Sequence, residues 1–260
     1  MMRLGIQTFT IRKAQKKSFE NAYAPLAKMG VDTLEIARID FSFANAKKLS
    51  DLLPRLGITP ISVQVKPKHV FRHMDAVVDF CKAVGCKNVV ISMLPFSCIL
   101  GDDEKFYRFV DSLDPFCERY AAHGITLAYH HHNWEYIRLA SGKTRMQELL
   151  GRTKRIKIVC DTYWVARCGV DPAKQIRELG GRLLGAHLRD LSFRGQLLKV
   201  LPLDTSLGSG VIDFRAVLCA LDEVGAEYAV IEQNTKAPYE HIANSLKHLE
   251  QIKKETLHQE

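Results

Sequence analysis

Short apolar segments alternate with longer amphipathic segments along the whole chain. Residues 88–93 form a continuous apolar run, as expected of a strand that is buried on both faces. Residues 70–84 instead repeat their apolar positions at helical spacing and stop before Gly85. The apolar segments predict strands at residues 3–9, 33–37, 58–65, 88–93, 125–131, 156–161, 183–188 and 228–232.

The amphipathic segments predict a helix after almost every strand. Ser18 is a candidate N-cap of the first helix, and Gly30 is its predicted stop. Pro115 is expected to interrupt the longest helix. A long loop over residues 189–211 carries Gly195 and Pro202. Helices are predicted at residues 18–29, 43–56, 70–84, 102–123, 143–150, 172–179, 214–224 and 238–252.

About eight strand–helix units in a chain of this length match the size of a (β/α)₈ barrel. Alternating units of this kind also require a parallel sheet. The competing fold is a doubly wound open sheet, whose first strand usually leads into a glycine-rich phosphate turn. Gly5-Ile6-Gln7-Thr8 does not have that pattern. The sequence therefore predicts one TIM-barrel domain over residues 1–260.

Polar side chains follow the predicted strands where each strand ends. In a parallel barrel these ends meet on one rim, so residues far apart in sequence converge there. Two imidazoles and two carboxylates on one rim form a mixed nitrogen and oxygen ligand set, which suits Mn²⁺, Co²⁺, Zn²⁺ or Fe²⁺ better than Ca²⁺. The predicted ligands of one divalent metal ion are His130, Asp161, His187 and Glu232.

The fifth predicted strand runs directly into three histidines. Because side chains alternate in a strand, His130 and His132 should share one face and His131 should point to the other. A bound metal would polarise a substrate carbonyl and stabilise an enediolate. His132 or Glu35 is the candidate base for the α-proton, and Glu232 is a further candidate catalytic residue.

Each candidate also has a structural interpretation. Asp161 could simply cap the helical turn that follows it. His187 could be a core histidine bonded to the acid three positions further on. Glu35 could pair with Arg12 or Arg38 rather than act in catalysis.

Further residues near the predicted rim are candidate substrate contacts. The two tryptophans either line a sugar-binding mouth or pack between helices. Arg12, Lys66 and Arg189 could hold an anionic group. The predicted substrate-binding residues are Gln7, Gln64, Trp134, Glu135, Trp164 and Arg189.

Composition narrows the class of protein. The chain is 47% hydrophobic and 25% charged, which is ordinary for a globular protein. Its net charge of +8 is scattered, so it favours solvated faces over a nucleic-acid interface. The seven cysteines contain no CxxC pair and are expected to be reduced thiols of a cytoplasmic protein. No apolar run approaches the roughly 20 residues that span a bilayer, so no membrane association is expected.

In the candidate site residues and the segments around them, the chain resembles the sugar phosphate isomerase/epimerase group of xylose-isomerase-like TIM barrels. The similar segments are residues 4–12, 124–136, 161–166, 186–190, 208–214 and 231–234. The resemblance implies a divalent metal on the rim and a small-molecule carbohydrate substrate. Ketose 3-epimerases of this fold bind the metal through Glu, Asp, His and Glu on strands five to eight. Asp161, His187 and Glu232 match that set, whereas His130 stands in place of the first Glu.

The resemblance leaves several activities open. The first is a metal-dependent isomerase or epimerase of a sugar or sugar-like ketone. The second is a lyase, because the Tyr-His-His-His string is similar to inosose dehydratases, and related keto-glycoside enzymes place a base where His132 stands. An abasic-site endonuclease would need further ligands on strands two and three, where only Glu35, Gln64 and the nearby His69 are available. A non-catalytic binding barrel is the fourth alternative. The resemblance also implies a possible homo-oligomer, because members of this family are often dimers or tetramers.

Overall fold

Eight parallel strands close into a barrel in the structure, a computed structural model that describes residues 2–193 and 203–257. The order around the barrel is β1-β10-β7-β6-β5-β4-β3-β2, and a separate antiparallel pair joins β8 to β9. This confirms the predicted (β/α)₈ TIM barrel. The strands are β1 (Arg3–Gln7), β2 (Thr33–Ile36), β3 (Thr59–Val65), β4 (Asn88–Ile91), β5 (Thr126–His130), β6 (Lys157–Asp161), β7 (Leu183–Leu188), β8 (Asp190–Ser192), β9 (Leu203–Thr205) and β10 (Tyr228–Ile231).

Helices surround the barrel and cover the outer face of its strands. At least one described helix connects each barrel strand to the next barrel strand along the chain. None of the described helices combines the length and apolar character that crossing a membrane requires. The helices are α1 (Arg12–Gln15), α2 (Phe19–Lys28), α3 (Phe43–Arg55), α4 (Pro67–Arg72), α5 (Met74–Val84), α6 (Phe96–Ile99), α7 (Asp103–Ala121), α8 (Arg145–Arg152), α9 (Thr162–Arg167), α10 (Pro172–Leu179), α11 (Phe214–Glu223) and α12 (Pro238–Leu257).

Local sequence signals set several helix ends. Ser18 caps α2 as predicted, since its side chain accepts a hydrogen bond from the Asn21 backbone N–H. Thr144 and Gln147 form a reciprocal capping box at the start of α8. Gly30 follows α2 with a positive φ of 82°, a conformation that glycine adopts without strain. These signals were readable because capping is decided within a few residues.

The apolar core has two parts. The larger part lies between the strands and the surrounding helices. The smaller part fills the barrel interior and includes Val90, Val159 and Tyr228. Gly185 makes room for Tyr228, because a Cβ at this glycine would lie 2.8 Å from the Tyr228 ring and from its backbone oxygen. The buried Tyr228 hydroxyl donates to the Glu35 carboxylate on β2 at 3.0 Å.

Three predictions about secondary structure were wrong. Pro115 does not interrupt α7, because the apolar face of that helix stays packed against the core on both sides of the proline. The predicted helix at 70–84 is split into α4 and α5 at His73, whose φ of −131° is not helical. The predicted loop at 189–211 contains the β8–β9 pair. Its Gly195 and Pro202 lie outside the described residues.

Candidate metal centre

Four buried side chains converge at the carboxyl-terminal rim of the barrel. His130 and Asp161 end β5 and β6, His187 lies near the end of β7, and Glu232 follows β10. One nitrogen or carboxylate oxygen from each of the four lies within 4.8 Å of the other three. The structure thus brings together all four predicted metal ligands, although more than a hundred positions separate the first from the last.

The hydrogen bonds of His130 leave a lone pair facing a carboxylate. Its Nδ1 lies 3.2 Å from the backbone oxygen of Ser92, which can only accept, so Nδ1 carries the proton. In the neutral ring Nε2 is then unprotonated, yet it lies 3.3 Å from Asp161 Oδ2. Two acceptors at this distance repel unless a proton or a metal ion lies between them.

His187 repeats this arrangement on the other side of the cluster. Its Nε2 lies 2.7 Å from Glu35 Oε1, so the neutral ring leaves Nδ1 unprotonated. Nδ1 lies 2.8 Å from Glu232 Oε2, but the alignment does not satisfy hydrogen-bond geometry, and both buried atoms lack a partner. The two histidine–carboxylate pairs therefore direct nitrogen and oxygen atoms at one point, and His187 Nδ1 and Glu232 Oε2 among them lack a hydrogen-bond partner. This arrangement fits a divalent cation with mixed nitrogen and oxygen ligands.

Groups behind the cluster hold His187 in place. Glu35 accepts hydrogen bonds from Ser62 Oγ at 2.6 Å and from the Tyr228 hydroxyl at 3.0 Å, in addition to its contact with His187. All of these groups are buried. Outer carboxylates of this kind fix the tautomer and ring orientation of a metal-binding histidine. Glu35 is therefore placed to orient His187 rather than to line the rim.

Asp161 caps a helix, as its structural interpretation predicts, and also faces the cluster. Its Oδ1 caps α9 by accepting from the Trp164 backbone N–H at 3.1 Å, while Oδ2 faces His130. Its own backbone N–H donates to His131 Nε2 at 3.1 Å. The middle histidine thus points away from the cluster, as strand alternation predicts, and fixes the backbone that carries Asp161.

The charges of the cluster hold one another in their ionised forms. Burial alone lowers the pKa of His187, but Glu35 and Glu232 raise it to about 10, so with these partners alone Nδ1 would carry a proton towards Glu232, and a bound cation would take the place of that proton. Burial raises the pKa of Glu232, but Arg189 and His187 bring it down to about 2. Burial likewise raises the pKa of Asp161, but Arg189, His130 and His187 together outweigh that effect and bring the pKa below its usual value. A positive charge is therefore strongly favoured at the centre of these carboxylates.

An open cleft of about 470 Å³ lies above the cluster. Two of its side chains, His132 and Trp164, have ring centroids 5.2 Å apart. Their polar atoms, His132 Nδ1 and Trp164 Nε1, are buried and lack hydrogen-bond partners. Such atoms can bind the hydroxyl or carbonyl groups of a small polar molecule. The cleft is also lined by His130, Glu232, Arg189, Gln64, Lys66, His69 and Asn234.

Sequence comparison identifies the family. The sequence pattern of the xylose isomerase-like TIM barrel family matches residues 23–252. The chain belongs to this family. No curated protein sequence matches the chain.

Solved structures of this family's fold superpose over almost the whole chain. A sugar phosphate isomerase/epimerase from Parabacteroides distasonis is 17% identical with a TM-score of 0.79, covering 95% of this chain and 93% of that one. The probable 3-DHS dehydratase AsbF from Bacillus anthracis is 13% identical with a TM-score of 0.73, covering 96% and 98%. The IOLI protein, solved with a bound zinc atom, is 18% identical with a TM-score of 0.69, covering 96% and 98%. At these identities the similarity shows a shared fold.

Within this xylose isomerase-like barrel, three predicted cleft residues lie in the cleft and three do not. Gln64, Trp164 and Arg189 line it. The Gln7 side chain is fully buried, and its Oε1 accepts from the Phe9 backbone N–H. Trp134 packs against the outer apolar core.

Glu135 is the third prediction that the structure corrects. The chain leaves β5 through a short 3₁₀ turn at Trp134–Tyr136, which folds the Glu135 side chain back into the protein. It accepts hydrogen bonds from the Tyr129 hydroxyl and, at 2.7 Å, from the His132 backbone N–H. Glu135 therefore fixes the backbone of His132 instead of contacting a ligand.

Among the residues it describes, the structure shows none of the pairings that the structural interpretations of Glu35 and His187 predicted. Glu35 bonds to His187 rather than to Arg12 or Arg38. Asp190 does not bond to His187, because its carboxylate accepts backbone N–H groups that include those of Gly208 and Gly210.

Asp204 lies on β9 and was not predicted from the sequence. It binds Arg189 Nη2 at 2.6 Å, and no sequence signal links the two residues across the intervening chain.

Proposed function

We propose that this barrel is a divalent-metal-dependent isomerase or epimerase that acts on a sugar or sugar-like ketone by abstracting an α-proton. The observation that carries the proposal is the convergence of two buried histidine–carboxylate contacts, His130 with Asp161 and His187 with Glu232, beneath an open polar cleft. Membership of the xylose isomerase-like family supports it. So does the likeness to structures named as isomerases or epimerases.

His130, Asp161, His187 and Glu232 would hold one ion, with Mn, Co, Zn or Fe as the candidates. When bound, such an ion polarises a substrate carbonyl and stabilises the negative charge that develops as an α-proton leaves. Glu35 would orient His187 for binding through Nδ1, because its carboxylate accepts a hydrogen bond from His187 Nε2–H.

His132 is the proposed base. Burial and the nearby His130 lower the pKa of His132 well below its usual value, so the ring is neutral at neutral pH. Its Nδ1 is buried without a hydrogen-bond partner, and the side chain lines the same cleft as His130 and Glu232. Glu35 does not line the cleft, so His132 is better placed than Glu35 to take a proton from a bound ketone.

Arg189 and Trp164 are the proposed substrate-positioning residues. Arg189 Nη1 lies 3.2 Å from Asp161 Oδ2, and its guanidinium stacks 4.8 Å from the Tyr163 ring, so its position is fixed. The buried Trp164 Nε1 can donate one hydrogen bond to a substrate hydroxyl. Gln64 offers a further amide to the cleft.

Elemental analysis tests the metal first. Wild type should contain about one ion per chain, and the ion should be lost in His187→Ala and Glu232→Ala. His123→Ala is the control, because His123 is exposed and lies outside the cluster. A wild-type protein that takes up no Mn, Co, Zn or Fe even after soaking would refute the proposal.

Incubation of the loaded protein with ketoses, inososes and keto-glycosides in D₂O tests the reaction. An isomerase or epimerase should introduce deuterium next to the carbonyl and return a product that has lost no water. A dehydrated product would instead identify a lyase that uses the same opening step. Failure of every ketone to exchange, in protein that holds the metal, would favour a binding protein.

A further inference from the structure

A second cavity, of about 1140 Å³, opens beside the candidate metal centre. It lies between the segment after β1 and the segment after β2, and it shares Phe9, Arg38, Ile39 and Asp40 with the cleft.

The lining of this second cavity holds seven basic and three acidic side chains. Glu20 pairs with Arg55 of the same lining and Asp51 pairs with Lys47 outside it, so basic side chains remain in excess. The cavity is therefore electropositive.

Two guanidinium groups meet where the two cavities join. Arg12 lies 3.9 Å and Arg38 5.1 Å from the centre of the Phe9 ring. Within the described part of the chain, no carboxylate oxygen lies within 4.0 Å of a guanidinium nitrogen of Arg12 or Arg38. Sixteen other pairs of basic and acidic side chains do come that close. The two guanidinium groups repel each other. Burial and this repulsion lower the pKa of Arg12 and together exceed the opposing attraction of Glu232, so an anion between the two groups would be stabilised.

Arg12 also connects this pair to the cleft. Its guanidinium donates to the Phe9 backbone oxygen at 2.9 Å and to Asn234 Oδ1 at 2.7 Å. Asn234 lines the cleft and lies two positions after Glu232. These two bonds fix the Arg12 side chain and leave further N–H groups free to bind a ligand.

Arg38 has an unusual backbone. Its φ of 59° makes it the only described residue other than glycine with a positive φ. Glycine or asparagine would adopt this conformation more easily. The neighbouring backbone is held firmly, because Thr8 Oγ1 and Gln15 Nε2 both donate to the Ala37 carbonyl. An arginine kept in a strained position at the join of two cavities indicates that its side chain has a function.

We propose that Arg12 and Arg38, held on Phe9, form an anion subsite that binds a phosphate group on the substrate. Guanidinium groups match the tetrahedral oxygens of a phosphate in geometry and charge. The subsite adjoins the cleft, so one extended molecule can occupy both. This inference rests in part on the proposed function, because the other end of that molecule is the ketone that His132 and the metal centre would receive.

Binding of inorganic phosphate, measured by titration calorimetry at low salt, tests the subsite without any turnover. Wild type should bind phosphate, and Arg12→Gln and Arg38→Gly should each weaken it by about tenfold or more. Arg38→Gly is chosen because glycine accepts the positive φ, so a loss of binding reports the missing guanidinium and not a strained fold. Arg119→Gln is the matched control, since Arg119 also stacks on a phenylalanine, Phe116, at 4.6 Å but lies on α7.

A second comparison separates this subsite from the metal centre. His187→Ala should lose metal yet bind phosphate as tightly as wild type. Phosphate binding that is absent from wild type, or unchanged in Arg12→Gln and Arg38→Gly, would overturn the inference and leave the metal proposal intact. Binding that disappears in His187→Ala alone would place phosphate on the metal and overturn it too. A DNA duplex that displaces phosphate through the same arginines would replace the small-molecule subsite with a nucleic-acid contact.

Discussion

Glu35 Oε1 and His187 Nε2 lie 2.7 Å apart in the barrel interior, although 152 positions separate the two residues in the sequence. The contact directs His187 Nδ1 towards Asp161 and Glu232. Burial raises the pKa of Glu35, but the charge of His187 and hydrogen bonds from His187 and Ser62 lower it below its usual value. Glu35 is therefore an ionised acceptor that keeps a proton on His187 Nε2 and leaves Nδ1 facing the cluster.

Glu35→Gln should weaken metal binding while the barrel still folds. The amide can keep one hydrogen bond to His187 but loses the charge that favours a proton on Nε2. Outer-shell changes of this kind typically cost about 10–100-fold in metal affinity. Chelator competition would measure the change. Ser62→Ala, which removes one hydrogen bond to the same carboxylate, should have a smaller effect. Equal metal affinity in wild type and Glu35→Gln would contradict this role.

His132→Gln should separate proton transfer from metal binding. The variant should hold the same metal content as wild type, because His132 is not among the four clustered ligands. Deuterium exchange into a responsive ketone should fall by about 10²–10⁴-fold, the usual contribution of a positioned base. His123→Gln, at an exposed histidine, is the control. Undiminished exchange in His132→Gln would remove this residue from the mechanism.

Gly185→Ala should destabilise the barrel and disturb the metal centre together. The new methyl group would lie 2.8 Å from the Tyr228 ring, whose hydroxyl donates to Glu35. Overpacking a filled interior typically costs about 1–3 kcal/mol in the free energy of unfolding. Urea unfolding and chelator competition would measure the two effects. Gly181→Ala is the control, since no atom lies within 4 Å of its added Cβ. A Gly185→Ala protein with wild-type stability would show that Tyr228 can move freely.

Asp114→Asn should reduce stability at neutral pH but not in acid. The Asp114 carboxylate accepts the backbone N–H groups of Lys154 at 2.7 Å and Arg155 at 2.9 Å, and also that of Ile156. Burial raises the pKa of Asp114, but these hydrogen bonds outweigh it and bring the pKa below its usual value. The folded protein therefore stabilises the ionised Asp114 carboxylate more than the unfolded chain does.

The sign of the pH dependence follows from that lowered pKa. The stabilisation is present above the unfolded pKa of about 3.9 and is lost as the pH falls through the folded pKa. At pH 7, Asp114→Asn should cost about 1 kcal/mol in urea unfolding, and the difference from wild type should shrink towards pH 3. Asp111→Asn, which breaks an exposed ion pair with Arg152, should cost less. A difference that is equal at both pH values would contradict the assignment.

The sequence by itself determined the barrel and the four side chains that cluster on its rim. Alternating strands and helices allow few arrangements, and a closed parallel barrel puts every strand's carboxyl end on one rim. His130, Asp161, His187 and Glu232 each stand at such an end, so their convergence follows from topology alone. The Ser18 cap was equally readable, because it depends on contacts within one helical turn.

Only the tertiary structure decided what the neighbouring side chains do. Glu35 also lies at a strand end, but it faces the barrel interior and binds His187. Glu135 follows the same strand as His132, yet a short 3₁₀ turn folds it back against Tyr129. The direction of a side chain beyond a strand end depends on how the next few residues turn and on partners from distant strands. Local patterns carry no record of those partners, so the pairing of Arg189 with Asp204 and the meeting of Arg12 and Arg38 on Phe9 emerged only from the folded chain.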